Sequence, residues 1–143
     1  MTRHSVRNQR GAALIETAIT IPIVLLICVA IFEFGRAYQT WQVLTNAARE
    51  GARVSVIVSN TDEQVTDIVR AYLTSGRLTG ANTADIRINR SVQIGTKTAS
   101  QITIDYPFDF IVLNPVARLV VRNSNTGASR LTMQAVAVMR NEI

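Results

Sequence analysis

The sequence predicts an α+β fold, in which a long N-terminal transmembrane helix precedes a small domain with one helix and an antiparallel sheet. Three observations predict this fold class. Residues 12–34 form an apolar run directly after a basic stretch. An amphipathic helical pattern follows residue 60, and three segments beyond residue 85 alternate between apolar and polar side chains. Periods of about 3.6 and 2 residues are typical of helices and strands, respectively.

The apolar run 12–34 is long enough to cross a bilayer. Its 23 residues contain only two charges, Glu16 and Glu33, one near each end. A helix of that length spans about 35 Å, against roughly 30 Å of hydrocarbon. The uncharged part, 17–32, is by itself barely long enough to span the hydrocarbon core. Both glutamates must therefore lie near the membrane interfaces or be neutralised. Pro22 is tolerated in a membrane helix, where we expect it to bend or loosen the helix. The basic flank argues against a buried helix of a soluble protein.

The flanking residues predict an orientation. Arginines precede the run at positions 3, 7 and 10, whereas the far side carries mixed charges. The positive-inside rule therefore places the N-terminus in the cytoplasm and the C-terminal domain across the membrane. Aromatic rings favour the headgroup zone, so we expect the membrane-interface aromatics to be Phe34, Tyr38 and Trp41.

Beyond the apolar run, the sequence predicts each further element. Small and apolar residues continue a helical stripe to about Val54, at positions Phe34, Tyr38, Trp41, Leu44 (or Thr45), Ala48 and Ala52. Tyr38 and Trp41 are interpreted as packing residues. Asn60 or Thr61 is expected to cap a second helix that Gly76 ends, and Thr61 with Gln64 fits a capping box. Strands are expected at 86–94, 102–106 and 131–137, with a connection at 95–100. Residues 116–122 fit a short helix or strand, and 123–129 fit a polar turn.

The N-terminus also has the general pattern of a secretory signal peptide, but two features disfavour one. The best small-residue cleavage site, at Cys28 to Ala30, is poor, and Glu16 is costly inside an ordinary apolar core. Ile27 is too bulky for a lipoprotein signal. A different arrangement uses the glutamate: a basic leader ends in Gly11, the apolar run begins at Ala12, and Glu16 is its fifth residue.

This junction resembles the class III signal of type IV pilins and pseudopilins, which a prepilin peptidase cuts on the cytoplasmic face. The resemblance implies cleavage between Gly11 and Ala12. It also implies that Glu16 is the assembly glutamate, which meets the N-terminal ammonium of a neighbouring subunit. The chain then divides into four parts: leader 1–11, transmembrane helix 12–34, helix extension 35–58 and extracytoplasmic α+β domain 59–143.

Residues 10–53 as a whole resemble the TadE-like pilus proteins of the tight-adherence (Flp, type IVc) system. The stretch Asn-Ala-Ala-Arg-Glu-Gly-Ala-Arg, 46–53, carries this resemblance, as does a final strand ending near residues 139–142. Thr17 stands where major Flp pilins usually have tyrosine, which favours a minor pilin or pseudopilin. The resemblance implies a pilin-like fold, the bacterial inner membrane, and partners that include a prepilin peptidase and other Tad/Flp pilins and assembly proteins in an oligomer. Filament component and assembly primer both remain open.

Composition disfavours most chemistry. The chain has one His, His4, and one Cys, Cys28, and no phosphate-binding glycine loop or HExxH motif. We therefore expect no enzyme, catalytic residue, metal or cofactor. Asp105 and Asp109 are expected to point to solvent rather than to form a catalytic pair. Three of the five net positive charges lie in residues 1–11, so no nucleic-acid partner is expected. A loose basic cluster fits a solvated or interface surface: Arg118, Arg122 and Arg130.

Two alternatives to a pilus protein remain at this point. One is an uncleaved membrane protein with a single span, whose outer domain binds an unrelated partner. The other, least favoured, is a secreted enzyme released by signal peptidase I. The position of cleavage separates the three, because a prepilin peptidase, no protease and signal peptidase I leave different N-termini.

Overall fold

The computed structural model describes residues 7–57, 59–115 and 131–141. The chain forms helices α1 (Arg7–Ser55) and α2 (Asp62–Ser75), a short 3-10 helix (Ala81–Thr83), and strands β1 (Asp85–Ile94), β2 (Lys97–Phe108) and β3 (Leu131–Arg140). The predicted fold class is confirmed: a long apolar helix precedes a small α+β domain with a helix and an antiparallel sheet. Predictions for 116–122, for 123–129 and for the basic cluster lie outside the described residues.

Helix α1 is one element of 49 residues, about 70 Å long at 1.5 Å per residue. It contains Pro22 and ends one residue after the predicted end. In its apolar half, the hydroxyl of Thr17 donates to the carbonyl of Ala13 at 2.8 Å, and that of Thr20 donates to the carbonyl of Glu16 at 2.8 Å. Because these hydroxyls are satisfied within the helix, they add no unpaired donor to an apolar surface.

The predicted capping box of α2 is confirmed. The Thr61 hydroxyl accepts from the Gln64 backbone N–H at 3.3 Å, and the Gln64 side chain accepts from the Thr61 backbone N–H at 2.9 Å. Two otherwise unpaired donors at the helix start are thereby satisfied. The buried face of α2 consists of Val65, Val69 and Leu73.

The three strands form an antiparallel sheet in the order β1-β2-β3. The predicted connection at 95–100 is wrong, because Lys97 already pairs with Ile94. Only Gly95 and Thr96 join the strands, and the turn is this tight because Gly95 adopts φ +61°. Strand β2 also runs past the predicted end through Pro107. There it has a neighbour on one side only, since the pairing with β1 ends at Asp105, and proline is tolerated at such an edge.

The core lies between the C-terminal half of α1, helix α2 and one face of the sheet. Alternate residues of β2 supply the sheet side: Ile102, Ile104, Tyr106 and Phe108. Helix α1 contributes mostly small side chains, which let the layers approach closely: Leu44, Ala47, Ala48, Gly51 and Ala52.

The stripe on α1 correctly predicts that the helix continues, but the packing interpretation of Tyr38 and Trp41 is wrong. Leu44 is fully buried, whereas Phe34, Tyr38 and Trp41 are 64%, 62% and 47% exposed. At about 100° per residue, Trp41 and Tyr38 point about 60° and 120° away from Leu44. Ala47 lies on the opposite flank and is buried. The domain therefore packs on that flank of Leu44, and the packing role expected for Tyr38 and Trp41 is not found.

Gly51 and Gly35 provide a matched test of this packing. A Cβ at Gly51 would lie 2.6 Å from Cγ2 of the buried Val69, whereas one at Gly35 would meet nothing within 4 Å. We expect Gly51→Ala to destabilise the domain by about 1–3 kcal/mol through overpacking. Gly35→Ala should stabilise α1 by up to about 1 kcal/mol through helix propensity. Proteolysis of the detergent-solubilised full-length protein across a urea series measures both changes; equal midpoints would contradict the close approach of α1 and α2.

Candidate assembly surface on the long helix

The N-terminal half of α1 is an exposed apolar rod. Most large apolar side chains from Leu14 to Phe32 are half or more exposed, for example Leu14 at 72% and Ile31 at 68%. Gly11–Ser55 is long and apolar enough to cross a membrane by length and composition, and none of its most apolar 18-residue window is buried. A core helix of a soluble protein would be mostly buried, although a signal sequence meets the same criterion. The residues that the structure describes do not cover this surface, which favours an apolar environment such as a membrane.

Glu16 lies exposed on this rod, more than one helical turn beyond the equally exposed Gly11 and Ala12. It borders a shallow groove whose other residues are mostly apolar: Thr17, Thr20, Ile21, Val24 and Leu25. Among the side chains that the structure describes, none hydrogen-bonds to or forms an ion pair with the Glu16 carboxylate. A carboxylate on an apolar surface is expensive unless a cation or donor meets it. The described residues do not supply such a cation or donor, so we expect it from a neighbouring molecule.

Glu33, the second glutamate of the apolar run, has the opposite environment. Its side chain is fully buried. One carboxylate oxygen accepts from the backbone N–H of Val112 at 2.7 Å, and the other accepts from Arg36 at 3.1 Å. Arg36 also donates to the carbonyl of Asp109 and lies over the Phe108 ring, 4.8 Å from its centroid. We call Glu33, Arg36 and the chain from Phe108 to Val112 the Glu33 clamp.

The Glu33 clamp satisfies the requirement that this charge be neutralised. The neutralising groups are a neighbouring guanidinium and a backbone N–H 79 positions away. The i,i+3 spacing of Glu33 and Arg36 is visible in the sequence and permits an ion pair. Nothing in the sequence pattern, however, places Val112 beside Glu33. The clamp also marks the level on α1 at which the domain begins to cover the helix. In the part of the chain that the structure describes, Glu33 is the first fully buried residue of α1.

A model of the TadE-like protein family matches residues 11–53. This segment is TadE-like. The match begins at the glycine predicted to precede cleavage, and it includes Glu16, Glu33 and Arg36. It supports a TadE-like pilus assembly protein, as the resemblance over 10–53 predicted; the assignment to the Flp type IVc system stays a prediction. Comparison with curated proteins and with solved structures gave no match.

The last eight positions of the TadE-like segment, 46–53, have two distinct faces. Ala47, Ala48, Gly51 and Ala52 are buried against α2 and the sheet, whereas Asn46, Arg49 and Arg53 are exposed. Arg53 donates two hydrogen bonds to Glu50, at 2.9 and 2.6 Å, and they lower the pKa of the Glu50 carboxyl. The small residues thus form the docking surface for the domain, and the charged residues keep the outer face in water.

The three predicted interface aromatics of the TadE-like segment are all exposed. Phe34 contacts Phe110 edge-on, with ring centroids 6.4 Å apart, and Tyr38 contacts Trp41 at 6.2 Å. Phe34 and Trp41 are seven residues apart, or about 10 Å along the helix. Since this exceeds the depth of one headgroup layer, about 5–8 Å, Phe34 fits an interface position best. The role of all three at a membrane interface stays a prediction.

The other sequence candidates lie apart from this surface. Asp105 does not point freely to solvent as predicted: it pairs with Arg87 and accepts from Gln134 at 2.9 Å on the outer face of the sheet. Asp109 is exposed. Among the described residues, no three His, Cys, Asp or Glu side chains come together as a metal site would require. Cys28 is exposed on the apolar rod.

A second residue that sequence reasoning missed is Arg90. It occupies an inward position on β1 and donates to the carbonyls of Ser55 at 3.0 Å and Asn60 at 2.8 Å. It also pairs with Asp62 at 2.7 Å. These bonds join the end of α1 and the start of α2 to the sheet. The domain is therefore attached to α1 at two levels, the Glu33 clamp and the C-terminal end of the helix.

Proposed function

We propose that this protein is a pilin-like structural and assembly protein of a Tad (Flp) type IV pilus, and not an enzyme. In this proposal a prepilin peptidase processes it, and it acts in pilus biogenesis, surface adherence or biofilm formation. The observation that carries the proposal is the TadE-like match over 11–53, which begins at the candidate cleavage glycine. The exposed apolar rod supports it, since both a membrane span and helix packing in a filament supply the missing apolar environment.

The chemistry of assembly rests on two charges. Cleavage after Gly11 removes the basic leader and leaves an α-ammonium on Ala12. Glu16 has no partner among the described side chains, so the ammonium of a neighbouring subunit can approach it. In an apolar environment such a pair is tolerated far better than either isolated charge. Glu16 and Ala12 of adjacent subunits thus set the register between helices.

The proposed location follows from the same helix. The N-terminus lies in the cytoplasm, the apolar rod spans the bacterial inner membrane once, and the α+β domain is extracytoplasmic. The partners are the prepilin peptidase and the other Tad/Flp pilins and assembly proteins. The exposed outer face of the domain is then available to them, while the small-residue face of α1 is already occupied by α2 and the sheet.

Processing provides the direct test. Co-expression with a cognate prepilin peptidase should yield a protein that begins at Ala12, as measured by N-terminal sequencing and intact mass. Gly11→Leu should leave the chain uncleaved, because a bulky side chain blocks close approach to the backbone. Gly35→Leu, at a second open helix position, is the matched control and should be processed normally. An unprocessed wild-type chain would favour an uncleaved membrane protein, and cleavage near Ala30 would favour signal peptidase I; either result would refute the proposal.

A further inference from the structure

A second apolar surface lies beside the long helix. Residues 110–113 read Phe-Ile-Val-Leu and follow the end of β2. Ile111 is 60% exposed and Val112 is 38% exposed. Exposed apolar residues also occur on β3, at Val136, Val138 and Met139, but the pair at 111 and 112 lies beside the apolar half of α1, because the Val112 N–H bonds to Glu33.

The Glu33 clamp fixes the height of this segment along α1. The Val112 N–H lies 2.7 Å from the Glu33 carboxylate, and the Phe110 ring packs against Phe34. The apolar rod from Ala12 to Phe32 has 21 residues and spans about 31 Å, the thickness of a hydrocarbon core. If the rod fills the bilayer, residues 33 and 34 lie at its edge. The segment 110–113 then lies at the same edge.

The exposed side chains of the segment continue the apolar surface of the helix. On α1, Phe34 is 64% exposed and contacts Phe110 of the segment, whereas Ile31 and Phe32 are 68% and 64% exposed on other sides of the helix at the same level. The carboxylate at this level, Glu33, is covered by the segment itself and paired with Arg36. The Glu33 charge is therefore shielded, and the exposed Asp109 lies at the border of the segment rather than within it. A lipid interface fits such a surface, because it takes up aliphatic and aromatic side chains at the headgroup boundary.

We propose that residues 110–113 insert into the membrane interface at the end of the span, as a second membrane contact of the sheet domain. This inference rests on the proposed membrane span of α1. Two contacts, the helix and the segment, restrict how the domain tilts on the membrane surface, whereas a single helix would leave the domain free to tilt. The occupant of the apolar surface is phospholipid in the membrane-resident protein.

Lipid quenching of a site-specific fluorophore tests the inference in the full-length protein. In a Cys28→Ser background, an NBD label is attached at Ile111→Cys, and separately at Val24→Cys in the span and Thr96→Cys at the hairpin tip. The proteins are reconstituted into phosphatidylcholine–phosphatidylglycerol vesicles that contain nitroxide-labelled lipid. We expect quenching at position 111 to exceed that at position 96 at least threefold, with blue-shifted emission.

The three positions separate the two proposals. Strong quenching at 24 with quenching at 111 no greater than at 96 would overturn the interfacial contact and leave the span intact. Weak quenching at 24, 96 and 111 alike would overturn both. Because Ile111 and Thr96 are both exposed, neither label requires the domain to repack. Ile111→Asp provides a second measurement: it should reduce quenching of a label at Val112→Cys at least twofold, and an unchanged value would argue against insertion.

Discussion

Replacing Glu16 by alanine should abolish assembly into filaments and leave leader removal intact. The Glu16 carboxylate has no partner among the described side chains, so its removal breaks no hydrogen bond or ion pair among them. In the assembly, it leaves the Ala12 ammonium of the neighbouring subunit in an apolar environment without an anion. Breaking such a pair costs about 3 kcal/mol, and each 1.4 kcal/mol is about tenfold in an equilibrium. We therefore expect about a hundredfold less of this protein in sheared surface filaments.

The comparison variants for Glu16→Ala isolate the charge. Glu16→Gln keeps the size and polarity of the side chain and should fail to nearly the same degree. Glu50→Ala removes a carboxylate of the same helix from an exposed ion pair outside the apolar rod and should assemble normally. Intact mass of the membrane fraction checks that all three variants begin at Ala12. Filaments of normal abundance in Glu16→Ala would remove the assembly role assigned to this glutamate.

Replacing Glu33 by alanine should release the chain after β2 from the long helix. The change leaves the part-buried Val112 N–H without its acceptor and Arg36 without its carboxylate. An unpaired buried donor costs about 1–3 kcal/mol. We expect a loss near 2 kcal/mol, which corresponds to about 30-fold faster amide exchange at residues 109–115. Hydrogen–deuterium exchange in detergent or nanodiscs, read by mass spectrometry, measures this change by peptide.

Glu50 again provides the matched control, because Glu50 and Arg53 have the same i,i+3 spacing as Glu33 and Arg36. The Glu50 pair is exposed, and its hydrogen bonds within the described part of the chain join only Glu50 and Arg53, so Glu50→Ala should change stability by less than about 1 kcal/mol. Arg53 lowers the pKa of Glu50, so the small stabilisation exists above the usual glutamate pKa and is lost as the pH falls. Equal amide exchange at 109–115 in wild type and Glu33→Ala would show that the Glu33 clamp does not stabilise the chain after β2.

The parts of the fold that the sequence predicts are those set by local interactions. The apolar run predicts α1, and Thr61 with Gln64 predicts the start of α2, because a capping box needs only four consecutive residues. The length of the β1–β2 connection is missed because Lys97 to Ser100 have polar or small side chains. Their strand structure depends on pairing with β1, which the local pattern does not contain.

The candidate site divides in the same way. Gly11, Ala12 and Glu16 are predicted from adjacent positions in the chain, and the TadE-like match begins at the first of them. The Glu33 clamp joins groups 79 positions apart, so only the three-dimensional fold shows it. The packing error at Tyr38 and Trp41 has a related cause. A stripe of apolar residues predicts that a helix has a covered face, but two adjacent stripes on α1 are both apolar, and the position of the sheet decides which one is covered.

The unbroken helix that carries both Glu16 and the core residue Leu44 has a geometric consequence for any assembly. These residues are 28 positions apart on one element, so their side chains differ in direction by about 80° around the axis. The sheet packs on the Leu44 side and cannot rotate independently of the helix. Once Glu16 contacts a neighbouring subunit, the rotation of the α+β domain about the axis of α1 is fixed relative to that subunit. Because the helix is continuous, a contact at Glu16 in the apolar layer also fixes how the α+β domain is rotated about the helix axis.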